Sequence, residues 1–148
     1  MNDRLNQLLA KQPILLFDGE CGFCNRAVQF VLRHEKKSAT PGKRLHFAAL
    51  ESEEGKALRE YFAIAEKIDS IILIKQHSAY IKSCAALRLT MYMRGFWPLM
   101  MGFVVIPPFI RNIVYDFVAR RRKKIFGRTK SCALLKNEDA SRFLDRKI

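Results

Sequence analysis

Cys21 and Cys24 stand two residues apart in Asp18-Gly19-Glu20-Cys21-Gly22-Phe23-Cys24, directly after the apolar run Pro13-Ile14-Leu15-Leu16-Phe17. This spacing puts the first sulfur at the opening of a helix and the second one turn inside, near enough to close a disulfide with little backbone movement. Amide groups and the dipole at a helix N-terminus favour an anion, so Cys21 is expected to be the exposed attacking thiolate. Its attack on a disulfide would give a mixed disulfide, and Cys24 would resolve it, leaving Cys21 and Cys24 joined and the substrate reduced. The reverse sequence oxidises.

Asp18 ends the apolar run three residues before Cys21, which places its carboxylate at the C-terminal edge of a sheet, where α/β proteins put their sites. It could accept the proton of Cys24 during resolution, a task that requires burial, because an exposed carboxylate is a poor base for a thiol. The alternative is a helix cap or turn residue. For the cysteines the alternatives are a zinc site or two inert core thiols. Structural zinc sites draw their ligands from two close pairs, whereas Cys84 and Cys132 are single and far apart, so no metal and no bound cofactor is expected. Inert thiols would not require Gly22 between them at a strand-to-helix turn. Cys84 reads as a small buried residue rather than a second reactive thiol, and Cys132 lies in a basic tail. His34, His46 and His77 stand alone, as surface or turn residues do.

The elements that must hold the dithiol follow from periodicity. Residues 13–17 form a continuous apolar run that fits a central strand buried on both faces. In residues 23–37, Phe23, Ala27, Val28, Val31 and Leu32 recur at helical spacing and end in cations. Ser38, Pro41 and Gly42 mark a loop, and residues 45–48 suit a second, parallel strand. Residues 51–62 read as a helix with acids in its first turn. Residues 70–74 and 79–82 form an antiparallel hairpin, after which Ser83 can cap a helix to about residue 94. The order β-α-β-α-β-β-α is that of a thioredoxin-like α/β sandwich.

The 148 residues, 49% of them hydrophobic, suffice for one core, so a single domain is expected, with its core over about 12–94 and an extension over about 95–148. Within the extension the run 96–108 is broken by Pro98, Pro107 and Pro108. Ile110, Ile113, Val114, Phe117 and Val118 then follow the spacing of an amphipathic helix whose stripe is expected to pack against the sheet. The net charge of +13 is concentrated here: residues 111–148 carry +8 and the first 110 carry +5. The basic run Arg120-Arg121-Arg122-Lys123-Lys124 beside apolar residues and Trp97 also suits peripheral contact with an anionic membrane. Nucleic acid is not favoured, because no binding motif accompanies the charge. The polar start at residues 1–12 lacks the apolar region of a signal peptide, no stretch is long enough to span a bilayer, and a cytoplasmic protein is expected.

Asp18, Cys21 and Cys24 match, one by one, the Asp, Cys, Cys motif that names the DCC family of thiol-disulfide oxidoreductases, and the chain resembles that family. Further matches are Phe47-Ala48-Ala49-Leu50, Asp69-Ser70-Ile71-Ile72-Leu73, Ser83-Cys84-Ala85-Ala86-Leu87, Ile106-Pro107-Pro108-Phe109-Ile110-Arg111, Val114-Tyr115-Asp116 and Phe126-Gly127. The resemblance implies a thioredoxin-like fold and a dithiol redox role without naming a substrate. Thioredoxins carry a cis-proline before the strand facing the dithiol; here Ile68-Asp69-Ser70 has none, which points to a substrate range narrower than protein disulfides at large. The leading expectation is an enzyme exchanging its dithiol with a disulfide of a protein or small molecule. The competing one is a non-catalytic adaptor that holds a protein or membrane through its basic apolar tail.

Overall fold

A computed structural model describes residues 3–36, 44–68, 70–127 and 141–144. The expected loop at 38–42, Asp69 and Cys132 lie outside these. The elements are α1 (Asp3–Lys11), β1 (Ile14–Phe17), α2 (Gly22–His34), β2 (His46–Ala49), α3 (Glu53–Tyr61), β3 (Ile72–Lys75), β4 (Ser78–Ile81), α4 (Lys82–Leu89) and α5 (Pro108–Phe126). Two 3-10 segments, Thr90–Tyr92 and Trp97–Val105, join α4 to α5.

The sheet runs β2-β1-β3-β4, with β1 parallel to β2 and antiparallel to β3, and β3 antiparallel to β4. This is a mixed α/β architecture of thioredoxin-like kind, as the pattern β-α-β-α-β-β-α foretells. All four β1 side chains are buried, and because strand side chains alternate, Leu15 and Phe17 face one layer while Ile14 and Leu16 face the other. The first layer holds Val28 and Val31 of α2 and Ala85 and Leu89 of α4. The second holds Leu58 of α3 and Leu5 and Leu9 of α1. Helix α1 is an addition to the expected order: Leu5 and Leu9 lie one turn apart and supply its inner edge.

Helix α3 starts at Glu53 rather than residue 51, because the Ser52 hydroxyl accepts from the Gly55 N–H at 3.0 Å and caps it. A Cβ on Gly55 would stand 2.1 Å from the Ala49 carbonyl oxygen, so only glycine lets α3 press this closely on the end of β2. Ser83 does not cap α4. Ile81 occupies the N-cap, and the Ser83 hydroxyl donates to Asn112 Oδ1 at 2.6 Å.

Residues 141–144 lie parallel to β2: Phe47 N–H donates to the Arg142 carbonyl and Leu144 N–H to that of Phe47, each at 2.9 Å. The Phe143 ring stacks on Phe47 with centroids 5.1 Å apart. Beside it Arg142 forms a buried ion pair with Glu35 at 2.6 Å. Leu45 N–H donates to the second Glu35 oxygen and Arg142 Nε donates to the Leu45 carbonyl, so both charges are bonded on more than one side.

One expectation about the extension is overturned. Pro107 and Pro108 do end the apolar run and open α5, but the stripe Ile110, Ile113, Val114, Phe117 and Val118 does not pack against the sheet; these side chains are 45–66% exposed. The inward face is the polar one. Asp116 pairs with Lys82 at 3.0 Å, Asn112 takes the Ser83 hydroxyl, and the Tyr115 hydroxyl accepts the Ile71 N–H at 3.2 Å. Polar groups on α4 and at the start of β3 need partners, and the polar side of α5 supplies them.

Candidate active site

The site forms where β1 ends and α2 begins. Asp18 turns the chain: its Oδ1 accepts the N–H of Glu20 at 3.0 Å and of Cys21 at 3.1 Å, which sets the angle at which α2 starts. Asp18 is thus the turn residue of the plainer reading, and it is 8% exposed. The Asn25 amide donates to the Gly19 carbonyl at 3.0 Å and braces the turn from inside the helix.

Cys21 and Cys24 come together. Both are 2% exposed, and the Cys24 thiol is hydrogen-bonded to Cys21. The expectation of an exposed Cys21 is therefore corrected: it lies in the buried cluster with Phe17 of β1, against which Phe23 packs. It is still within reach of solvent, since Cys21 lines a cleft of about 720 Å³ with Asp18, Glu20, Glu51, Lys56 and Gly127. Two of the amides expected to face the sulfur are already engaged, Cys21 N–H by Asp18 and Gly22 N–H by the Gly127 carbonyl at 3.3 Å.

Positive charge reaches the other sulfur. Arg122 Nη1 donates to Cys24 Sγ at 2.8 Å, and Arg122 as a residue is only 4% exposed. Burial pushes the Cys24 thiol up to about 12; the Arg122 charge acts against this, and the nearby Cys21 and Asp18 reinforce it. Tyr115 stands two turns before Arg122 on the same face of α5, and its phenol is raised by burial, with Arg122 pulling the other way. The C-terminal extension thus roofs the dithiol, its Phe126 ring packed on Phe23 at 5.2 Å.

Glu51 completes the group. Its Oε2 accepts the Gly19 N–H at 3.2 Å and its carboxyl is hydrogen-bonded to Asp18. Burial raises the Glu51 carboxyl above the usual range; backbone N–H bonds oppose this, and the Asp18 charge adds to it. The Glu51 and Asp18 carboxyl groups thus lie side by side at the turn that carries the dithiol.

Arg122, expected only as part of the basic run 120–124 but buried in the structure, and Tyr115 and Glu51 carry no site role in the sequence alone. The signal for the first two lay in the polar face of α5, where seven-residue spacing puts Tyr115 and Arg122 on one side. Glu51 reads as an ordinary first-turn acid until the Ser52 cap places it outside the helix. Of the lone residues, Cys84 is half-buried with Arg111 Nη2 3.6 Å from its sulfur. His77 is exposed and His34 half-buried against Phe30, while His46 lies half-buried on β2 and is held below its usual range by burial and then by Arg142. Among the described residues no three His, Cys, Asp or Glu side chains are disposed to hold a metal ion.

The family model described as DCC1-like thiol-disulfide oxidoreductase matches residues 15–128, a span that takes in both the dithiol turn and α5. The chain is 36% identical over 132 residues to the uncharacterized protein YuxK of Bacillus subtilis, covering 88% of this chain and 93% of that one. It is 38% identical over 126 residues to a chloroplastic DCC family protein of Arabidopsis thaliana, covering 84% and 70% respectively. No solved structure matches it at a significant level.

Proposed function

The chain belongs to the DCC1-like thiol-disulfide oxidoreductase family, and on that premise we propose that it exchanges the Cys21–Cys24 dithiol with a substrate disulfide, Cys21 attacking and Cys24 resolving. The observation that carries this is the contact of the two sulfurs at the head of α2, with Cys21 lining the cleft and Cys24 behind it against Arg122.

The Cys21 thiolate, supported by the Cys24 S–H hydrogen bond, displaces one substrate sulfur as a thiolate and forms a mixed disulfide. Cys24 must then lose its proton. Asp18 is the acceptor, with Glu51 sharing the proton, and Arg122 steadies the thiolate so formed. Cys24 attacks Cys21 Sγ, the Cys21–Cys24 disulfide closes, and the second substrate sulfur leaves and takes up a proton. Two electrons pass from the protein to the substrate, and the reverse sequence returns them.

The Ile71 N–H, on the backbone that leads into β3, is already taken by the Tyr115 hydroxyl. A substrate chain cannot add there without displacing it, which favours a narrow substrate range. Reduction of a small aromatic disulfide by the reduced protein tests the reading. Cys21→Ser is expected to abolish it and Cys24→Ser to stall it at a mixed disulfide, with one aromatic thiol released per protein instead of two; full activity in Cys21→Ser would remove the mechanism.

A further inference from the structure

Of the 18 large hydrophobic side chains that stand exposed among the described residues, 15 lie between Phe96 and Phe126. Single exposed apolar residues are ordinary; a concentration of this kind marks a surface that something covers. The 3-10 segment Trp97–Val105 buries none of its nine residues, and Phe96, Leu99 and Val105 are 73–86% exposed. The outward face of α5 continues the pattern with Phe109, Ile113 and Phe117.

The same face changes character along its length. At 100° per residue, Arg120, Arg121 and Lys124 fall on the side of α5 that carries Ile113 and Phe117, and all three are exposed. Arg121 lies over the Phe117 ring at 4.5 Å, joining the cationic part to the apolar part. Asp116 is the one acid in residues 95–127, and it faces inward on Lys82. The exposed side chains of this segment are therefore apolar and cationic, and its one acid is half-buried and already paired with Lys82.

We infer that the outward face of α5, with the 3-10 segment before it, rests on an anionic lipid surface, its apolar side chains entering the headgroup boundary and Arg120, Arg121 and Lys124 meeting the lipid phosphates. Charge selects this occupant. A second copy would bring the same cations to the same cations in a chain of net charge +13, whereas an anionic bilayer offers an acyl boundary and negative charge together. Trp97, held edge-on against Phe30 at 5.2 Å, is suited to the interface. Among the described residues no helix is long and apolar enough to cross a membrane. The inference stands apart from the redox reading, because none of these residues touches the dithiol.

The test is co-sedimentation of the full chain with vesicles of phosphatidylcholine alone or mixed equally with phosphatidylglycerol, with size-exclusion chromatography of the lipid-free protein. Expected are binding to the anionic vesicles, weak binding to the neutral ones, and weakening as salt rises from about 0.1 to 1 M. Ile113→Ser with Phe117→Ser is expected to weaken binding at least about tenfold, and Arg120→Glu with Lys124→Glu to remove the preference for anionic lipid, with unchanged circular dichroism in both. Absence of binding to anionic vesicles overturns the inference. So does a dimer in solution that Phe117→Ser dissociates, since the face would then belong to a second copy.

Discussion

Arg122 Nη1 lies 2.8 Å from Cys24 Sγ, across 98 positions of sequence, so the helix that ends the described core reaches back to the inner sulfur of the dithiol. The guanidinium does not make Cys24 an easy acid: burial outweighs it, and the thiol stays raised to about 12. What Arg122 offers is a partner for the thiolate at the moment resolution creates it.

Replacing Arg122 by Met is accordingly expected to leave the first attack by Cys21 in place and to slow closure of the Cys21–Cys24 disulfide. A charged hydrogen bond is worth about 1.5–3 kcal/mol, which corresponds to roughly 10- to 100-fold. Rapid quench with mass spectrometry would show the mixed disulfide persisting. Resolution at the normal rate would mean that Arg122 only packs.

Asp18→Asn keeps an oxygen able to accept the Glu20 and Cys21 amides and removes the base. Turnover is expected to fall about 100-fold while thermal stability changes little. Glu51→Gln should give a smaller loss and an altered acid limb of the pH profile. If Asp18→Asn unfolds the protein or leaves turnover intact, the carboxylate is a turn residue alone.

Alkaline pH should destabilise the protein. Cys24, Tyr92 and Tyr115 are all raised by burial, so above about 8.5 and 10, where unfolded thiols and phenols ionise, the folded state holds the extra protons. More protons on the folded side means that stability falls as pH rises. Urea unfolding between pH 8 and 11 would read this slope, and Cys24→Ala should flatten it.

Glu35→Gln and Arg142→Ala each remove one charge of a buried ion pair, at a cost of about 3–5 kcal/mol. The double replacement by apolar residues should recover much of that. Chemical denaturation of the three variants would show the non-additivity; simple addition would mean that the pair does not act as a unit.

The fold was legible wherever one periodicity dominated. β1 is four buried residues in a row, and the turn to α2 is fixed by Asp18 and the cysteines. Of the candidate site, the sequence shows the turn with Asp18, Cys21 and Cys24 but not the α5 residues that cover it. An apolar stripe ordinarily marks the inward face of a helix, and in α5 it marks the outward one, because the neighbours of this helix are Lys82, Ser83 and the Ile71 amide rather than a bare sheet. Polar complementarity between α4 and α5 has no period to detect. Leu5 and Leu9 were hidden for a different reason, two apolar residues in a charged stretch being a weak signal until a sheet lies beneath them.

The seam between Phe47 and residues 142–144 bears on how the chain reaches this state. β2 emerges early in synthesis with its outer backbone groups unmatched, and the strip that pairs with them is made nearly a hundred residues later. During that interval the nascent sheet carries an open flank to which another chain can add. Slow translation between residue 49 and residue 144 should therefore raise the yield of aggregate, and a peptide matching residues 141–144 with their flanks should lower it.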